Sequence, residues 1–134
     1  MKNFQLSQDM LNLGGQFYPT GHIVAMFPDE DAARAAARAL ADARFPEDDI
    51  SLITPEAMMR DVVRTVGNAD IPLPSPGTEA DTVRRFSELA AQGHYALLIH
   101  VSREHDSDQV MAALRDHRAS HAQYYRRLVI EDLA

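Results

Sequence analysis

The chain has 134 residues, no cysteine and a net charge of −7, with 46% hydrophobic and 25% charged side chains. That length suits one domain with one sizeable core. The missing cysteines exclude disulfides, a thiol nucleophile and thiolate metal sites, and the acid excess argues against nucleic-acid or anionic-membrane partners.

Residues 1–20 are polar and contain Gly14-Gly15, which predicts a partly mobile tail. Met10, Leu11 and Leu13 suit a short helical turn, and Phe17 and Tyr18 are the groups able to dock it. The tail has no apolar run fit for a signal peptide. Nothing in the chain approaches the ~18–20 apolar residues of a membrane span, so the expected location is cytoplasmic.

Gly21-His22 opens the apolar run Ile23 to Phe27, bounded by Gly and Pro, which predicts a buried strand. Asp29, Glu30 and Asp31 follow where a helix N-terminus favours negative charge. The helix is expected over Ala32 to Arg44, with Ala33, Ala36, Ala37, Leu40 and Ala43 on one face, and Phe45-Pro46 breaks it. Ile50 to Ile53 is a second strand. Thr54-Pro55-Glu56 starts a helix by cap, proline and acid. It is expected to run to Val66 with Met59, Val62, Val63 and Val66 inward, and Gly67 stops it.

Residues 67–77 carry three alternating prolines and predict a stiff extended loop. Thr78 caps a helix to about Gln92, with Asp81–Arg85 and Arg84–Glu88 spaced as ion pairs. Gly93-His94 opens a third strand, Tyr95 to Val101. Asp106 or Ser107 caps a helix facing inward through Val110, Ala113, Leu114 and His117. Gln123 to Ile130 reads as one last strand, rich in aromatic and β-branched residues.

The two Gly-His openings mark a repeat: β-α-β, a helical insert at about 55–92, then β-α-β. Such units are right-handed, with parallel strands and room for another strand between them. Interleaved, they predict an α+β ferredoxin-like sandwich over residues 21–134: four antiparallel strands in the order 4-1-3-2, with the helices of the two units on one face. Strand alternation adds a constraint, because a sheet wet on one face alternates apolar with polar residues. Val24 and Met26 oppose Ile23, Ala25 and Phe27, while Ala96, Leu98 and His100 oppose Tyr95, Leu97, Ile99 and Val101. The second face is therefore apolar as well and needs a cover. Either the inserted helices or a second copy supplies it, and a homodimer through the sheet face is the expectation.

No nucleophile elbow, P-loop, dinucleotide fingerprint or HExxH helix occurs, so no catalytic residue is assigned. His117 and His121 have metal-sharing spacing, but Ala119-Ser120 lies past the expected helix end, and no metal or cofactor is expected. His105 reads as an exposed loop residue, and His22 and His94 as strand-end groups. His100 differs, sitting in an apolar strand where a polar group needs a partner. With Tyr124, Tyr125, Arg126 and Arg127 it forms the candidate ligand-binding set, suited to a small anionic ligand under the 67–77 loop. The same tyrosines and arginines are the basis for a nucleic-acid stacking platform. That role is set aside because the expected central strands present aliphatic residues.

Gly21 to Phe27, Glu30-Asp31-Ala32 and Phe45-Pro46-Glu47-Asp48-Asp49-Ile50-Ser51-Leu52-Ile53 resemble the opening half of the small bacterial general-stress (heat-induced stress protein) family. Ala122-Gln123-Tyr124-Tyr125 through Ile130-Glu131-Asp132-Leu133 resembles the ends of related stress-domain proteins. The resemblance covers roughly residues 21–133. It implies a cytoplasmic bacterial stress-associated domain of unsettled activity and carries over no catalytic residue. The leading expectation is thus a non-catalytic interaction or regulatory domain with a protein partner or second copy. The alternative is a binding or enzymatic domain with a pocket around His100.

Overall fold

The computed structural model describes residues 1–11, 17–63, 78–101, 107–126 and 130–133. The chain forms a mixed α+β fold around one sheet. Its strands are β1 (Lys2–Asn3), β2 (His22–Phe27), β3 (Ile50–Ile53), β4 (Tyr95–His100), β5 (His121–Tyr125) and β6 (Ile130–Asp132). They lie in the order β1-β3-β4-β2-β5-β6. β4 pairs antiparallel with both β2 and β3, and β5 antiparallel with both β2 and β6. It follows that β2 runs parallel to β3 with β4 between them, and β4 runs parallel to β5 with β2 between them.

The final aromatic stretch is two strands rather than one: β5 ends at Tyr125 and β6 begins at Ile130. Within residues 1–20 the described part carries regular structure. β1 adds in parallel to β3, the Phe4 amide donates to the Leu52 carbonyl at 3.0 Å, and a 3-10 turn spans Gln8–Met10. Among the described residues no helix is long and apolar enough to cross a membrane.

Helix α1 (Glu30–Asp42) begins two residues earlier than the alanine run suggests. The Asp29 carboxylate accepts from the Ala32 amide at 2.8 Å and caps it. The helix ends in a Schellman motif rather than through Pro46. The Phe45 amide donates to the Leu40 carbonyl and the Arg44 amide to the Ala41 carbonyl, both at 3.0 Å, with Arg44 at φ +72°. Leu40 and Phe45, the apolar pair of that motif, are both buried. The same device ends α3 (Thr78–Ala91): the His94 amide reaches the Leu89 carbonyl at 3.0 Å, the Gly93 amide reaches Ala90 at 2.9 Å, and Gly93 has φ +87°.

Gly21 (φ +80°) serves differently, as third residue of a turn closed by the His22 amide on the Pro19 carbonyl at 3.1 Å. The two Gly-His openings thus share a left-handed glycine but not a mechanism.

On one face of the sheet α1 and α4 (Ser107–Leu114) cover Ile23, Ala25, Phe27, Ile50, Leu52, Leu97, Ile99 and Ala122. The alanines of α1 let that helix approach the strands closely. The opposite face has its own core, in which Val24, Met26, Ile53, Ala96, Leu98 and Tyr125 meet Phe4, Phe17, Ala57, Met58, Val62, Phe86 and Leu89. Its cover is therefore the insert and the N-terminal segment of the same chain, the first of the two alternatives left open by the strand pattern.

The insert starts as α2 (Pro55–Ala57), with the Thr54 hydroxyl accepting from the Ala57 amide at 3.1 Å, and continues as a π-helix over Met58–Val63. The wider turn rotates the apolar stripe. Met58 and Val62 are buried while Met59 is 41% exposed, so Met59 is not an inward residue as expected. Glu88 pairs with Arg85 at 3.5 Å. Val66, Gly67, the 67–77 loop, Gly14-Gly15, Asp106 and the Asp81 side chain lie outside the described residues.

Candidate functional site

The second face of the sheet is built in rows, because residues opposite one another on neighbouring strands share a face. One row runs His100, His22, Tyr125 across β4, β2 and β5. The next runs Ser51, Leu98, Val24, Gln123, and a third Ile53, Ala96, Met26, His121. Val24 and Leu98 sit in the middle row between Ser51 and Gln123, so the polar groups gather at one end and on the flanking strands β3 and β5.

The row at the open end is the candidate site. His100 is not a mid-strand group in a covered position; it is the last residue of β4, its side chain 45% exposed, with Nδ1 3.5 Å from an Asp49 carboxylate oxygen. His22 lies beside it, ring centroids 5.0 Å apart and planes tilted by 46°. The His22 Nδ1–H donates to the Thr20 carbonyl at 3.1 Å. Burial holds this imidazole below the ordinary histidine range, opposed by the Thr20 bond, and a charge on His100 pushes it lower still. Asp9, which accepts a short hydrogen bond from the Ser7 hydroxyl, favours a charge on His22 from the N-terminal side.

Tyr125 completes the row and is buried, its ring edge-on to Phe17 at 5.9 Å and to Tyr18 at 5.0 Å. Tyr18 in turn donates its hydroxyl to the Arg126 carbonyl at 2.6 Å, and Phe4 packs on Phe17 at 6.2 Å. The histidine row is thus tied directly to the segment that covers the apolar face.

The candidate ligand set does not assemble as expected. His100 and Tyr125 share the row, but Tyr124 points to the α1 face, and the exposed Arg126 lies 5.8 Å over the Tyr124 ring. Arg127 lies outside the described residues, as does His105. The two tyrosines face opposite sides of the sheet and form no common stacking platform. His117 follows α4 and His121 is buried at the start of β5, so the two do not share a helical turn.

Sequence reasoning missed His22 as the partner of His100 and Asp49 as its counter-charge. A signal for His22 was present, since an antiparallel pairing that sets the start of β2 against the end of β4 brings the two histidines together. Finding it required the register.

At the opposite end, His94 Nδ1 lies 2.8 Å from the Ser120 hydroxyl oxygen, and that hydroxyl donates to the Met26 carbonyl at 3.1 Å. Burial, with Arg85 acting the same way, lowers the His94 pKa. Because the serine proton is held by a carbonyl, the imidazole does not act as its base. The pair clips the end of β2 and the start of β5 to the start of β4. Among the described residues no group of three histidine or carboxylate side chains is arranged to hold a metal. No family model, curated protein or solved structure matches the chain.

Proposed function

We propose that the chain is a non-catalytic, stress-associated regulatory domain on a ferredoxin-like frame, and that the His22–His100 row is its proton-responsive element. The frame is supported by the β3-β4-β2-β5 order and by two β-α-β units whose crossing helices share one face.

One observation carries the regulatory reading: two imidazoles face each other at 5.0 Å in a row that ends on Tyr125, the anchor of the N-terminal cover. Near neutral pH a neutral His22 is compatible with its half-buried place. Acidification puts a charge on His22, against the burial that holds it neutral. Asp49 lies beside His100, while Asp9, on the N-terminal turn, favours the charge on His22. Repulsion within the row then loosens the Tyr125, Tyr18 and Phe17 cluster. Lifting that cover bares Val24, Met26 and Leu98, which gives a second copy the apolar face it lacks in the closed state.

An anionic ligand at His100 is the weaker reading, because Asp49 already provides negative charge there.

Sedimentation velocity at pH 7.5 and 5.5 tests the proposal. The expected result is a monomer at the higher pH and self-association at the lower, with His22→Asn and His100→Asn both suppressing the change. A stable dimer at pH 7.5, or acid behaviour untouched by either substitution, overturns it.

A further inference from the structure

The opposite side of the sheet holds a second feature, a cleft of about 150 Å³ between α1 and the segment leading into β3. Helix α1 contributes Arg34, Ala37, Arg38 and Ala41, positions i, i+3, i+4 and i+7, which form one stripe. Ile50 forms the floor, and Met1 closes the end beside β1. The cleft exists because this stripe carries alanine; a larger side chain at Ala37 or Ala41 fills it.

Its charges are of both signs. Arg34 is committed to Glu30 at 2.6 Å. Arg38, one turn on, is exposed and makes no ion pair among the described residues. Glu47 stands on the other bank, in the 3-10 turn Glu47–Asp49.

A guanidinium binds a carboxylate in a planar fork, and a carboxylate binds an ammonium. An apolar floor between the two suits a short aliphatic group. A closed cavity of about this volume accommodates a benzene ring, so four or five carbons fit the floor while the charged head stays at the rim.

From this combination we infer that the cleft binds a free α-amino acid with a branched aliphatic side chain. The carboxylate pairs with Arg38, the ammonium with Glu47, and the side chain rests on Ala37, Ala41 and Ile50. The cleft lies on the opposite face of the sheet from the histidine row, although Glu47 shares its turn with the Asp49 beside His100. An exposed cleft of this size gives weak binding, in the millimolar to high micromolar range.

The test is an amide chemical-shift titration of the full chain with L-leucine, 4-methylpentanoate and isoamylamine. Leucine is expected to shift the amides of Ala37, Ala41, Glu47 and Ile50 in a saturable way. The acid lacking the ammonium and the amine lacking the carboxylate should each bind about tenfold more weakly. Arg38→Gln should abolish the shifts without moving the melting temperature, since its side chain is exposed, and Ala41→Leu should block the site by filling it. Unsaturated or absent shifts, shifts away from the cleft, an undiminished response in Arg38→Gln, or equal binding by 4-methylpentanoate overturns the assignment.

Discussion

Arg44 occupies the left-handed corner of the α1 Schellman motif at φ +72°, a conformation that strains a residue bearing a Cβ. Arg44→Gly relieves that strain and should stabilise the fold by about 0.5–1 kcal/mol, read from urea midpoints. Gly93 fills the equivalent corner of α3, and a Cβ there meets nothing within 4 Å. Gly93→Ala should therefore cost about 1 kcal/mol through backbone conformation alone. His22 and His94 both have folded-state pKa values below the ordinary 6.5, each chiefly through burial. Below that value the unfolded chain binds more protons than the native one, so stability falls with falling pH; above it the contribution of the neutral imidazoles is complete. The urea midpoint should thus drop between pH 7 and the folded-state pKa values, and His94→Gln should flatten the drop. These residue-scale features were partly legible. The glycines and the acidic cap at Asp29 announce themselves, whereas a left-handed arginine has no signature in a linear sequence.

At the scale of elements, strands read well because apolar runs bounded by Gly and Pro leave few alternatives. β2, β3 and β4 follow their sequence boundaries closely, with Val101 just beyond the last. The insert was harder. An ordinary helical period placed Met59 inward, but the π-turn gives the core to Met58. Met58→Ala should accordingly cost about 2–5 kcal/mol, while Met59→Ala should change stability by less than about 0.5 kcal/mol. Equal effects at the two positions in thermal denaturation contradict that winding. The single strand expected over residues 123–130 divides in two for a related reason: β propensity describes residues suited to a pleated surface and says nothing about where the chain leaves one sheet position for another.

Across the whole molecule, the alternation of β2 and β4 correctly required a cover on both faces. It did not choose between an insert and a second copy, because both demand the same apolar strand. The cover includes Phe4 and Phe17, far from the insert in sequence. Phe17→Ala should cost about 3–5 kcal/mol and raise the binding of a hydrophobic dye at neutral pH, as Tyr125 and its neighbours lose their lid. The strand order has a further consequence, for assembly in time. β2 and β3 are made early and close together, yet they do not touch as sheet partners, since β4 must enter between them and β5 alone flanks β2 on its other side. Every backbone pairing of β2 thus waits for residues 95–125, making contacts of long sequence separation and slow closure. A ribosome that has released only the first half of the chain presents an apolar β2 with no strand to receive it, the interval in which a chaperone has most to do.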